Sequence, residues 1–402
     1  KKILKISAKL ILKKYRPEVI GITGSVGKTG AKEAVYAVLA AKFKARQSIK
    51  NYNNEIGLPL TVIGVESSLR SLPGWLKIFF VTIKLLLKRD PNYPKILVLE
   101  MAVDRPGDLD YLTDIAGCSI GVITSIGESH LEYFKTLEDI KSEKATLIRK
   151  LAKDGWAVLN IDDDKVRSII KETRAKVFTY AIDGEADVGG KEIRMKFPSA
   201  GLAGEEFGLS FKLTNQGSFA PVFLPNIISK AGVYAALAGA AIGVIKGLNL
   251  VEISQALKKY DSPNGRMKFL PGIKNTFIID DTYNSSPASS KLALETLGNI
   301  AARAGAYKYA VLGDMLELGG FSEAGHEAVG RGVVKNKIDK LIVVGERSRD
   351  IARGAKAAGM KDDDIFHFAT TAEAGKFIEG RIKTGDIILV KGSQGARLEK
   401  II

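Results

Sequence analysis

Lys28 and Thr29 close a short glycine-rich run, Gly24-Ser25-Val26-Gly27-Lys28-Thr29, which follows the apolar stretch at 19–22 and opens a helical pattern lasting to about Ala41. A strand, a glycine turn and a helix start in that order read as a phosphate cradle. Backbone N–H groups of Gly24 to Lys28 converge on phosphoryl oxygens at the positive end of the helix, Lys28 adds a mobile cation, and the Thr29 hydroxyl is a ligand for Mg²⁺. The usual P-loop spacing would put glycine at position 22, where this chain has Ile22, so the match is to the shorter form TGxxGKT. Two further residues stand at the ends of apolar runs: Glu100 in YPKILVLEM, and His130 in GESHLEYF after Ile120–Ile126. Continuous apolar runs mark parallel strands buried on both faces, and ligands gather beyond their C-terminal ends. Lys144 follows a capping-box pattern at Thr136–Asp139; from spacing alone it reads as a solvated helix lysine.

The elements that must position these groups form an α/β pattern. At 402 residues the chain is long enough for two or three domains, each with a core. Residues 19–265 read as a central P-loop ATPase-type domain built on a parallel sheet. Within it, 183–225 forms a small β excursion and 231–245 an alanine-rich buried helix. PNGRM at 263–267 is a turn at a domain boundary, and strands then alternate with helices through 266–402, the pattern of a Rossmann-like, doubly wound C-terminal domain. The single cysteine, Cys118, excludes an internal disulfide and reads as a small core residue. Three histidines exclude a histidine-rich zinc cage, so a metal here is a hard cation on oxygen ligands.

The formal charge of +15 is concentrated. Residues 1–20 carry seven Lys/Arg against Glu18, and residues 75–95 carry five against Asp90. Residues 1–18 read as a basic amphipathic helix with Lys2, Lys5, Lys9 and Lys13 on one face. WLKIFFVTIKLLLKR is a basic apolar insertion near 75–90, too short to span a bilayer. Two readings stand open for residues 1–16 and 75–89: peripheral contact with an anionic membrane, with Trp75 and Phe79 at the headgroups, or packing on the domain with the lysines in water. Nucleic acid is not expected as a partner, because the lysines are not interleaved with stacking aromatics. No cleavable signal peptide is evident, and the chain begins without Met.

TGSVGKT, NYNNEIGLPL, the Glu100 strand, SIGESHLEYF with EKATLI, PNGRM, DDTYNSSPASSKLALETL, VLGDMLELG and ILVKGS occur in the order found in the Mur ligases. The chain resembles that family from about Val19 to Ile402, most closely its D-alanyl-D-alanine-adding branch. The resemblance implies a cytoplasmic, three-domain, ATP-dependent amide ligase of peptidoglycan precursor synthesis. Such a ligase activates a muropeptide carboxylate as an acyl phosphate and joins D-alanyl-D-alanine or a similar amine to it. It implies further that Thr29 and Glu100 hold one Mg²⁺, that His130 holds or supports a second, and that Lys144 is carbamylated to become an oxygen ligand. By the same resemblance Arg266 reaches the γ-phosphate, Asp281 and Asn284 lie near the ribose and adenine, and Asn53, Asn54, Asp314, Glu317 and Lys391 lie on the substrate side. Three departures accompany it. The family's first, UDP-sugar-binding domain is expected to be absent, Ala231 and Ala235 stand where a His and an adenine-reading Asn are usual, and Ser125 replaces a common Asn. Two alternatives stay open: a membrane-associated ligase acting at the inner face on a lipid-linked or other amino-acid substrate, and a non-catalytic ATP-binding regulator.

Overall fold

A large, mostly parallel sheet and a smaller one organise the computed structural model, which describes residues 1–48, 52–67, 71–127, 132–196 and 207–402. The chain begins with α1 (Lys2–Tyr15), β1 (Glu18–Thr23), α2 (Lys28–Ala40), β2 (Ala45–Gln47), α3 (Gly57–Ile63), α4 (Leu72–Leu87), β3 (Ile96–Glu100), α5 (Asp108–Ile115), β4 (Ile120–Ile123) and α6 (Leu137–Arg149). It continues with β5 (Trp156–Asn160), α7 (Asp164–Ser168), β6 (Lys176–Ala181), β7 (Val188–Lys196), β8 (Gly208–Asn215), β9 (Ser218–Pro225), α8 (Lys230–Ile245) and α9 (Leu250–Leu257). Among the described residues the first sheet runs β2-β3-β1-β4-β5-β6-β7-β8-β9, parallel from β2 through β7 and antiparallel in the β7–β8–β9 meander. The β excursion read at 183–225 is that meander.

Strand alternation sends side chains into two cores. Ile20, Ile22, Ile96 and Val98 enter the core shared with α2, α8 and α9, while Val19, Leu97 and Leu99 enter the one beneath α1, α3, α4, α5 and α6. This two-sided burial is why the strands read as unbroken apolar runs. Gly21 is required by packing, since a Cβ there would lie 2.6 Å from Cys118 Sγ. Cys118 accordingly packs half-buried against the core, its thiol pushed up to about 12 by burial. α8 approaches α2 so closely that a Cβ on Gly239 would lie 2.9 Å from the Ala34 carbonyl oxygen, which explains the small residues along α8.

The second unit comprises β10 (Lys268–Pro271), β11 (Phe277–Asp281), α10 (Pro287–Asn299), β12 (Lys308–Gly313), α11 (Ser322–Lys335), β13 (Lys340–Val344), α12 (Arg349–Ala357), β14 (Ile365–Phe368), α13 (Thr371–Arg381) and β15 (Ile387–Lys391). Its strand order is β10-β11-β15-β12-β13-β14, parallel except for β10. One face is covered by α10, α11 and α12 and the other by α13, a doubly wound arrangement.

The two basic helices both pack on the first unit, which corrects two details of the sequence reading. α1 buries Ala8 and Ile11, but it leaves Ile3, Ile6 and Leu10 exposed beside its lysines. α4 turns Trp75 against the core and Phe79 outward. Both differences arise because the apolar residues of these helices exceed a single face. Among the described residues no helix is long and apolar enough to cross a membrane.

Candidate active site

The glycine-rich loop joins β1 to α2 and is tied to the end of the neighbouring strand β4. Ser25 N–H donates to the Ser125 carbonyl (2.8 Å), Val26 N–H to Ser125 Oγ (2.9 Å), and Ser25 Oγ to the Gly127 carbonyl (2.9 Å). This corrects the expectation that every N–H from Gly24 to Lys28 faces a phosphate. Those of Ser25 and Val26 anchor the loop, and the first N–H groups of α2 are the ones free of intrahelical partners. Gly24 has φ 150° and passes so near Thr124 that a Cβ would lie 2.0 Å from its Oγ1. Lys28 folds back, its Nζ donating to the Gly24 carbonyl (2.6 Å). Burial lowers the Lys28 pKa, opposed by Glu100 and reinforced by Arg266, and an arriving anion would favour the ammonium form.

The parallel register sets Ile22 of β1 beside Glu100 of β3 and so brings that carboxylate to the cradle. Thr29 Oγ1 (3.3 Å) and Asn53 Nδ2 (3.1 Å) both donate to Glu100 Oε1. Glu100 is 1% exposed, and its Oε2 is buried without a partner among the described residues. A buried carboxylate oxygen left unpaired costs free energy, so the arrangement suits a hard cation that takes Oε2 and Thr29 Oγ1 as oxygen ligands. No group of three His, Cys, Asp or Glu able to hold a metal occurs among the described residues, and His130 lies outside them.

Lys144, in α6, is the opposite of a solvated lysine at 1% exposure. It forms no ion pair with a described residue, and its pKa is driven well below the ordinary value, first by burial and then by the charge of Lys28. Burial and the neighbouring Lys28 charge therefore both favour the neutral amine, the form that adds CO₂.

The second unit closes the cleft from the other side. The turn at Pro263–Met267 is held by Gly265 N–H to Asp280 Oδ2 (2.9 Å) and Met267 N–H to Asp281 Oδ1 (3.1 Å). It presents Arg266 with its guanidinium 4.1 Å over the Tyr283 ring. Lys28, Arg266 and Asn284 line one cavity together with Ala231, Tyr260 and Ser286. Ala235 lies behind this wall, its Cβ 3.4 Å from where a Cβ on Gly30 would stand, so in this chain the position is a packing residue.

Several residues placed on the substrate side have structural partners. Asn53 orients Glu100, and Asn54 Oδ1 accepts the Ile56 (3.1 Å) and Gly57 (2.9 Å) N–H groups where α3 begins. Lys391 is buried, its Nζ on Asp281 Oδ2 (2.6 Å) and the Asn284 carbonyl (2.8 Å), so this lysine and Asp281 neutralise one another in the wall of that cavity, which both line. Asp314 accepts Ser348 N–H (2.8 Å) and lines a separate cleft with Thr371 and Arg397. Glu317, with φ 63°, lies in the same turn as Gly319, which comes close to the backbone at Glu132. That turn is fixed by fully buried His326, which accepts Met315 N–H at Nε2 (3.0 Å) and donates from Nδ1 to the Ser322 carbonyl (2.7 Å). The sequence reading missed Tyr283 under Arg266, and Asp104, whose charge raises the pKa values of both Lys28 and Lys144. The signal for Asp104 was its place four residues beyond Glu100.

Comparison with known proteins identifies the family. Residues 80–243 match the Mur ligase middle domain, and residues 265–394 match the Mur ligase, glutamate ligase domain. The chain belongs to the Mur ligase family, and with the family goes its activity class, an ATP-dependent acid–amino-acid ligase. It is 30% identical over 395 residues to UDP-N-acetylmuramoyl-tripeptide--D-alanyl-D-alanine ligase of Bacillus subtilis, an alignment covering 98% of this chain and 77% of that one. Among solved structures it is similar to the MurF ligase from Thermotoga maritima in complex with ADP, at 26% identity and a TM-score of 0.81, covering 100% of this chain and 82% of that one. MurF from Acinetobacter baumannii, at 24% identity and a TM-score of 0.80 over 99% and 78% of the two chains, shows the same fold.

Proposed function

We propose that this chain joins D-alanyl-D-alanine, or a closely similar amine, to a muropeptide carboxylate using ATP, in peptidoglycan precursor synthesis. The observation that carries the reading is the convergence on one cleft of Lys28, the Thr29–Glu100 pair and, from the second unit, Arg266. A carboxylate is a poor electrophile. Its oxygen therefore attacks the γ-phosphorus of ATP, releasing ADP and leaving an acyl phosphate. The amine then attacks the carbonyl carbon, the tetrahedral adduct expels phosphate, and the nitrogen loses a proton as the amide forms. Both steps build negative charge at the cradle, where fixed donors are most effective.

Lys28 and the N-terminus of α2 bind and orient the phosphates. Arg266, steadied on Tyr283, adds a cation from the opposite wall as the two units close. Thr29 and Glu100 would hold a Mg²⁺, which when bound neutralises phosphate charge, and Asn53 keeps Glu100 aimed at it. Lys144, as its carbamate, would add an oxygen anion on the same side of the cleft, and its burial favours that modification.

The test is isotopic. Muropeptide labelled with ¹⁸O in the accepting carboxylate is incubated with ATP and D-alanyl-D-alanine, with UDP-linked and lipid-linked acceptors side by side. The expected result is one ¹⁸O in the released phosphate, seen by ³¹P NMR, and ADP release only when acceptor and amine are both present. No turnover with any muropeptide overturns the proposal.

A further inference from the structure

The outer half of α4 is apolar along its whole length. Leu72, Leu76, Phe79, Phe80, Ile83 and Leu87 recur at three- and four-residue spacing on one side, with Leu87 83%, Leu72 79% and Phe80 70% exposed. The other side buries Ile78, Thr82 and Leu85 in the core. A helix packed on a domain ordinarily turns polar residues to water. Here a stripe roughly 24 Å long, from the 1.5 Å rise per residue, is left bare instead. α1 repeats the pattern with Ile3, Ile6 and Leu10, which are exposed while Ala8 and Ile11 are buried.

The two helices are clamped together at their C-terminal ends. Lys14 Nζ donates to the carbonyls of Leu85 and Leu86 (both 2.9 Å), and the Tyr15 hydroxyl bonds the carbonyls of Leu85 and Lys88 (both 3.1 Å). Tyr15 also stacks on Tyr93 at 4.1 Å. The exposed stripes therefore belong to one rigid platform rather than to two loose segments.

Charge identifies the occupant. Neither α1 nor α4 contains an acidic residue. Lys2, Lys13, Lys77, Lys84 and Lys88 are exposed and pair with no described carboxylate, whereas Lys5 and Lys9 are taken by Asp114 (2.8 Å each). We infer that α1 and α4 form a docking surface for an anionic lipid bilayer. The aliphatic and phenyl side chains enter the acyl boundary, and the lysine stems run along the surface to put their ammonium groups at the phosphates. Isologous pairing of two copies would set lysines against lysines, which opposes that occupant. α4 has 16 residues and carries Lys77 and Lys84, so it lies in the interface instead of crossing it.

The experiment is flotation of the full chain with vesicles of phosphatidylcholine and phosphatidylglycerol at 3:1 in low salt, against pure phosphatidylcholine. Circular dichroism, ADP binding and light scattering check the fold and the mass. The wild type should float with the anionic vesicles only and be released by high salt. Because the altered side chains are exposed, Phe79→Ser with Phe80→Ser should keep its melting temperature and ADP affinity while losing at least about tenfold in partitioning. Lys77→Glu with Lys84→Glu should lose about 30-fold or more, from roughly 1 kcal/mol per lysine. Absence of flotation at low salt overturns the inference. So does equal binding to neutral vesicles, unchanged binding by the phenylalanine variant, or a wild-type dimer that this variant dissociates.

Discussion

Replacing Lys391 by Met tests the reasoning about the cleft most directly. Lys391 is 1% exposed, and its ammonium is held between Asp281 Oδ2 (2.6 Å) and the Asn284 carbonyl (2.8 Å). Methionine fills nearly the same volume, so the cost is electrostatic rather than steric. Removing one partner leaves Asp281 as a buried, uncompensated carboxylate with Met267 N–H as its remaining neutral donor, a loss of about 3–5 kcal/mol. At roughly 2–4 °C per kcal/mol for a unit of this size, the second unit should melt about 10 °C lower. Asp281 also holds the turn that carries Arg266, so kcat should fall more than the KM for ATP rises. Adding Asp281→Asn removes the stranded charge and should recover more than half of the stability without restoring kcat. Urea unfolding of the three variants beside steady-state ADP release measures both effects. If Lys391→Met costs under 1 kcal/mol, or if the double variant is less stable than the single, the buried pair does not organise this wall of the cleft.

Four further outcomes follow from the geometry. Gly24→Ala forces a Cβ to 2.0 Å from Thr124 Oγ1 at a φ of 150°, and ADP binding measured by calorimetry should be lost while the fold survives. Asn53→Ala removes a donor from Glu100 and should weaken Mg²⁺ dependence about 10–100-fold at a stability cost of about 1 kcal/mol, read from Mg²⁺ titrations of activity. Lys144 should show a ¹³C carbamate resonance with labelled bicarbonate that grows as pH rises, because the neutral amine reacts; Lys144→Ala should be inactive and partly rescued by small carboxylic acids. Since the native Lys144 pKa is lowered, the unfolded chain binds more protons between that value and 10.5, so in bicarbonate-free buffer stability should rise with pH across the window. Lys144→Met should flatten that slope in urea unfolding.

The sequence by itself determined the strands, the cradle and the family. The unbroken apolar runs before Gly24, up to Glu100 and at Ile120–Ile126 read as parallel strands covered on both faces, and TGSVGKT as a turn into a helix. It could not show which N–H groups of the cradle are spent on Ser125, because that depends on the strand beside it 100 residues later. Spacing made Lys144 a surface lysine, and only the packing of α6 on the sheet removed its water and lowered its pKa. Lys391 and Asp281 read as separate substrate and nucleotide contacts, and only the register of β11 with β15 showed that they form one ion pair in the cavity wall. The residue types at 1–16 and 75–89 announced basic, apolar helices. Which side of each helix met the core, and therefore that an apolar stripe stays in solvent, was decided by tertiary contact, because a helix apolar on most of its circumference carries no signal for which face is inside.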